Sequence, residues 1–110
     1  MSEKYSYRIQ WSDEDASFIG LCAEFPSLSW IADTQNGAFK GICKLVEDVL
    51  ADMAKNGEDI PEPLSTRSFS GKFMVRVPPE LHRELILKAA EAHISLNRYV
   101  TTKLADLRDK

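Results

Sequence analysis

Gly71-Lys72-Phe73-Met74-Val75-Arg76-Val77-Pro78, followed farther on by Ser95-Leu96-Asn97-Arg98-Tyr99-Val100, decides how this chain is read. From Lys72 to Val77 the side chains alternate. Phe73, Val75 and Val77 fall on one face, and Lys72, Met74 and Arg76 on the other. Period two in β-branched and aromatic residues marks a half-buried strand, and Pro78 ends it because proline has no amide for a ladder. Pro79-Glu80 suits a helix start: proline is tolerated in the first turn, and a carboxylate is favoured at the positive end of the helix dipole. Leu81, Leu85, Ala89 and Ala92 form a helical stripe that His93-Ile94 breaks. Ser95 is placed to cap a second helix carrying Leu96, Tyr99, Val100, Leu104 and Leu107.

One strand and two short helices make a unit with a deficit. A lone strand has no ladder partner, and so small a helix pair buries too little apolar surface to fold alone. Two copies remove both difficulties, with strands paired antiparallel about a two-fold axis and helices sharing one core. The outer face of that ribbon would show Lys72, Met74 and Arg76 twice. A two-stranded ribbon fits the DNA major groove, where Arg and Lys can bond guanine acceptors. Met74 reads two ways, as an exposed methionine or as a contact to a thymine methyl group. The N-terminus of the second helix, at Ser95 to Asn97, can meet a phosphate through its unused amides.

Upstream of this unit the pattern changes. Tyr5, Tyr7, Ile9 and Trp11 alternate with Ser6, Arg8 and Gln10, which predicts a strand to Ser12. Asp13-Glu14-Asp15-Ala16 reads as a hairpin connection, Ser17 to Ala23 as the returning strand, and Leu28 to Ala32 as a third after the Phe25-Pro26-Ser27 interruption. Asp33-Thr34 supplies N-cap candidates. From Gln35 to about Lys55, Phe39, Ile42, Val46, Val49, Leu50 and Met53 recur at steps of three and four, the stripe of a core-facing helix, and Asn56-Gly57 stops it. The chain is therefore α+β: a small antiparallel sheet with one packed helix, then a dimeric strand–helix–helix module.

Charge divides along the same line. The 110 residues hold 14 basic and 17 acidic side chains, a net of −3. Divided at Ile60-Pro61-Glu62-Pro63-Leu64, residues 1–64 carry 5 basic and 12 acidic groups and residues 65–110 carry 9 and 5, nets of −7 and +4. The basic segment is the candidate for a polyanion partner. No apolar run approaches the ~18 residues of a membrane span, and no apolar stretch follows Met1-Ser2-Glu3-Lys4 as in a secretory signal. Two cysteines, Cys22 and Cys43, are too few for a disulfide scaffold or a four-ligand metal site; reduced thiols in a cytoplasmic protein are expected.

Gly71 to Pro78, Leu81-His82 and Ser95 to Val100 together resemble a ribbon-helix-helix DNA-binding module. Upstream, Phe25-Pro26-x-Leu28, Asp33-Thr34 and Ile60-Pro61-Glu62-Pro63 resemble the HicB antitoxin family, whose first domain is related to a partial ribonuclease H fold. Ser27 and Ala32 stand where that family usually has glycine, and Gln35-Asn36-Gly37-Ala38 lacks its usual acidic residue. The resemblance implies a toxin-binding domain at 1–64 and a dimerisation and DNA-binding domain at 65–110. It implies an antitoxin that neutralises a HicA-type mRNA-cleaving toxin and represses its own operator as a dimer, tetramer or higher oligomer. Lys72, Met74 and Arg76 would contact bases; Ser95, Asn97 and Arg98 would contact phosphates. Solitary HicB-like regulators lacking a toxin, and modules that only oligomerise, are the alternatives.

Catalysis is not expected. Ribonuclease H chemistry needs carboxylates converging on metal ions, whereas Asp13, Glu14 and Asp15 are consecutive in a turn, and Asp33, Asp48 and Asp52 complete no obvious set. His82 and His93 lie far in sequence from either cysteine. No cofactor and no metal are expected.

Overall fold

The computed structural model describes residues 2–109. After a short 3-10 turn at Ser2–Lys4 come β1 (Tyr7–Ser12), β2 (Ser17–Cys22), β3 (Ser29–Ala32) and α1 (Gln35–Lys55); α2 (Pro79–Glu91), α3 (Leu96–Ala105) and a 3-10 turn at Asp106–Asp109 follow. The class is α+β. Two compact units divide between Ser70 and Gly71.

The first unit is an antiparallel sheet in the order β1-β2-β3. Register runs from Tyr7↔Cys22 to Ser12↔Ser17, and from Phe18↔Ala32 to Leu21↔Ser29. The β1–β2 turn explains its own composition. Asp13 C=O accepts from Ala16 N–H at 3.3 Å, and Ala16 takes φ 48° to complete the reversal. Ser12 Oγ donates to Asp15 Oδ2 at 3.1 Å, and Asp13 Oδ1 accepts from the Trp11 indole N–H at 2.5 Å. Two of the three consecutive acids are thus engaged within the turn.

Thr34 caps α1, its hydroxyl oxygen accepting from Gly37 N–H at 2.9 Å. The helix ends where Gly57 takes φ +70° and Glu58 N–H reaches back to Met53 C=O at 2.9 Å, the bond that closes a left-handed helix stop. Between these ends α1 lies directly on the sheet at Gly20. A Cβ there would stand 2.5 Å from Ala38 O and 2.8 Å from Ile42 Cγ2, so only glycine permits this approach. Ile42 and Val46 are fully buried, in a cluster with Tyr5, Cys22 and Phe25. Tyr7, Ile9, Leu28, Leu45, Val49, Leu50 and Met53 pack around it.

Two residues of the expected apolar stripes lie outside this core. Trp11 is 52% exposed because its ring stands edge-on to Phe18 and is tied to the turn through Asp13. Phe39 is 46% exposed, standing edge-on to Tyr7. The Pro61–Leu64 stretch belongs to the first unit: Pro63 is buried, and Tyr5 Oη donates to Pro61 C=O at 2.6 Å.

Replacing Gly20 by alanine forces α1 off β2. The expected cost is about 1–3 kcal/mol, the range for overpacking a filled core, read as a lowered urea midpoint of the first unit's unfolding. An unchanged midpoint would show that α1 does not depend on this approach.

Candidate nucleic-acid interface

The second unit is built on α2 and α3. Pro79 opens α2 with Glu80 in its first turn. The helix closes at His93, which holds φ 59° while His93 N–H reaches Ala90 C=O and Ile94 N–H reaches Ala89 C=O, both at 3.1 Å. This is the paired-bond helix stop in which glycine usually takes the left-handed position. A histidine there carries the strain that any side chain meets at positive φ.

Ser95 caps α3, its Oγ accepting from Arg98 N–H at 3.0 Å. The first intrahelical bond runs from Tyr99 N–H to Ser95 C=O. Leu96 and Asn97 amides therefore precede the helical ladder, at the positive end of the helix dipole. The structure brings Ser95, Asn97 and Arg98 together at this one helix start. Lys72, Met74 and Arg76 instead lie along the segment before Pro78, in the same unit.

That segment departs from expectation within one copy of the chain. Residues 72–77 form neither strand nor helix. Both faces of the alternation are open: Phe73 is 76% exposed, Met74 85% and Val75 63%. Residues 74–77 line one side of a groove of about 770 Å³, completed by His82, Leu85, Leu96, Val100, Lys103 and Leu104. Leu81, Ile86, Leu87, Leu104 and Leu107 are exposed as well, and Ala89 is the one buried residue of this unit among those described. The physical reason is the one that governs any strand: its amides and carbonyls need a ladder, and the three strands of the first unit are engaged with one another. The apolar stripes of α2 and α3 are in place, but one copy does not supply enough surface to cover them.

No group of His, Cys, Asp or Glu fit to hold a metal occurs among the described residues. Cys22 is buried and Cys43 partly so; both are unpaired thiols. Burial pushes both up from the usual thiol range, and a thiol held neutral is a poor nucleophile. No helix among the described residues is long and apolar enough to cross a membrane. Sequence reasoning did not single out the exposed aromatic and aliphatic groups of the first unit: Trp11, Trp30, Ile31 and Phe39. Trp30 lies against Gly41, where any Cβ would collide with its indole. A glycine on the sheet-facing side of α1 was the available signal.

The HicB family model matches residues 55–104, from the end of α1 through α3. The match takes in Ile60-Pro61-Glu62-Pro63 and residues 72–77, and leaves out Phe25-Pro26 and Asp33-Thr34. No curated protein and no solved structure matches the chain.

Removing the α3 cap with Ser95→Ala is expected to cost about 1 kcal/mol of stability with no ligand present, read by thermal or urea unfolding of the second unit. A loss confined to DNA affinity, with unfolding unchanged, would mean that the Ser95 hydroxyl does not serve the helix.

Proposed function

On the match of the HicB family model to residues 55–104, we propose that the chain is a HicB family member and the antitoxin of a toxin–antitoxin pair. Its second unit dimerises as a ribbon-helix-helix module and holds operator DNA, and its first unit covers a HicA-type RNA-cleaving toxin. The observation that carries this reading is the second unit's packing: Ala89 is the one buried residue among those described, beside a strand-patterned segment that forms no strand in one copy. Pairing Phe73, Val75 and Val77 with the same residues of a second copy supplies the missing ladder. Their side chains then close over Leu85, Leu96, Val100 and Leu104. This places Lys72, Met74 and Arg76 on the outer face, where a two-stranded ribbon meets the major groove. The α3 start brings the Leu96 and Asn97 amides, with Arg98, to phosphates on either side.

The first unit acts by occupying a surface and has no catalytic role. Residues 1–64 carry a net of −7, which complements a cationic RNA-binding partner and speeds its capture. The exposed Trp11, Trp30, Ile31 and Phe39 supply apolar contact area of the type that dominates protein interfaces. The fold of the first unit, three antiparallel strands with a helix across one face, supports the partial ribonuclease H relationship of that domain.

Two measurements test this. Arg76→Ala should lower affinity for operator DNA by about tenfold to a hundredfold, the worth of a base contact, and leave the dimer intact by sedimentation. Equal operator affinity in a mobility-shift assay would remove Arg76 from the interface. Phe73→Asp should yield monomers and abolish binding, because it places a charge in the shared core. A dimer that persisted with this change would place the self-association elsewhere. In both, wild-type affinity should fall steeply with added salt as phosphate counterions are released.

A further inference from the structure

Oxidisable sulfur is unevenly placed in this chain. Of the methionines at 1, 53 and 74, the first lies outside the described residues. Met53 packs on α1 against the core of the first unit, whereas Met74 is 85% exposed, more than any other large apolar side chain described. The cysteines are shielded. Cys22 is buried and Cys43 partly so, and burial keeps both as neutral thiols, the form that oxidants attack slowly. A thioether has no proton to lose, so its sulfur lone pair needs no activation. Among the described residues, Met74 therefore carries the accessible and reactive sulfur.

Its place in the pattern keeps it accessible. Phe73 and Val75, on either side, are open in one copy of the chain. When residues 72–77 become a strand, period-two alternation turns both to the face opposite Met74. Forming the ribbon covers these neighbours and leaves Met74 outside with Lys72 and Arg76, as the one apolar group of that face.

We propose that Met74 is an oxidation site, and that an oxygen atom added there loosens the hold on DNA. The oxidant class is a hydroperoxide. The thioether sulfur attacks the terminal peroxide oxygen; an S–O bond forms as the O–O bond breaks. The proton on the transferred oxygen passes to the departing one, so hydrogen peroxide leaves as water. Sulfur gives up two electrons and the peroxide accepts two, and no further reactant is needed. The product sulfoxide is polar and accepts hydrogen bonds without donating any. Pressed against a thymine methyl group it loses water and finds no donor in exchange, which lowers affinity by about fivefold or more. A two-fold ribbon carries the site twice. Two electrons and two protons, supplied by a pair of thiols, remove the oxygen again as water, the reaction of methionine sulfoxide reductases. The effect on DNA rests on the functional reading above; the oxidation site does not.

The test treats the full-length protein with dilute hydrogen peroxide and follows each methionine by peptide mass spectrometry. Met74 should gain one oxygen about tenfold faster than Met53 or more, since susceptibility follows exposure; equal rates would overturn the site. In a mobility-shift assay the treated protein should bind operator DNA about fivefold or more weakly, recover after a methionine sulfoxide reductase, and still sediment as a dimer. Met74→Leu, whatever its own affinity, should bind equally before and after treatment, whereas Met53→Leu should keep the full response. Unchanged affinity of the oxidised protein, or a Met74→Leu chain that still loses affinity on treatment, would overturn the switch. Dissociation into monomers on oxidation would overturn it too, by putting Met74 inside the shared core. A chain that binds no operator even untreated would overturn the functional reading and the switch with it, while the mass readout still decides the oxidation site.

Discussion

A strand-patterned segment has to put its amides and carbonyls into a ladder, and for residues 72–77 one copy of this chain provides none. The rest of the second unit follows from that shortfall. α2 and α3 are properly started and stopped, by Pro79 and the His93 turn and by the Ser95 cap. Yet their apolar stripes close over a single buried alanine. In the proposed dimer the exposed Phe73 and Val75, and the groove between residues 74–77 and the helices, are half of a core. In that proposal the second strand, of the same length and pattern, comes from another copy of the chain.

The first unit solves its packing alone, through the contact of α1 with Gly20. Close approach there buries Ile42 and Val46, and Tyr5, Cys22 and Phe25 complete the core. Its charge is opposite to that of the second unit, so each can address a partner of the other's sign. The stretch 60–65 after α1 precedes the boundary between the two units. Tyr5 Oη donates to Pro61 C=O, Leu64 N–H donates to Glu24 at 2.8 Å and Ser65 Oγ donates to Lys4 C=O at 2.6 Å, so the proline stretch that marks the charge division is packed structure, and the compact units separate a few residues later.

Much of this was legible in the sequence because local chemistry dictated it. Period-two alternation located β1, β2 and β3, and steps of three and four with Thr34 and Gly57 at the ends located α1 as Gln35–Lys55. The Ser95 cap was legible for the same reason. Less legible was anything set by tertiary packing. Alternation placed Trp11 on the buried face, but a bond to Asp13 and an edge contact with Phe18 hold it at the rim. Helical spacing placed Phe39 in the core, whereas α1 lies so close to β2 that smaller groups, Ala38 and Ile42, fill that space. The bonds that Glu24 accepts from Ser6 and Leu64 could not be read at all, since these partners are 18 and 40 residues distant and are backbone amides, which no side-chain pattern reports. In the candidate interface, the α3 start forms within one copy. Lys72, Met74 and Arg76 acquire a common face only once the segment becomes a strand.

Contacts between chains in a mixed sample of isotope-labelled and unlabelled protein test this most directly. Filtered NMR spectra on such a sample record only contacts between copies. Inter-chain Hα–Hα and amide contacts are expected among Phe73, Val75 and Val77 in an antiparallel pattern symmetric about a two-fold axis. A monomer at the same concentration, or inter-chain contacts confined to the first unit with residues 72–77 still irregular, would contradict it.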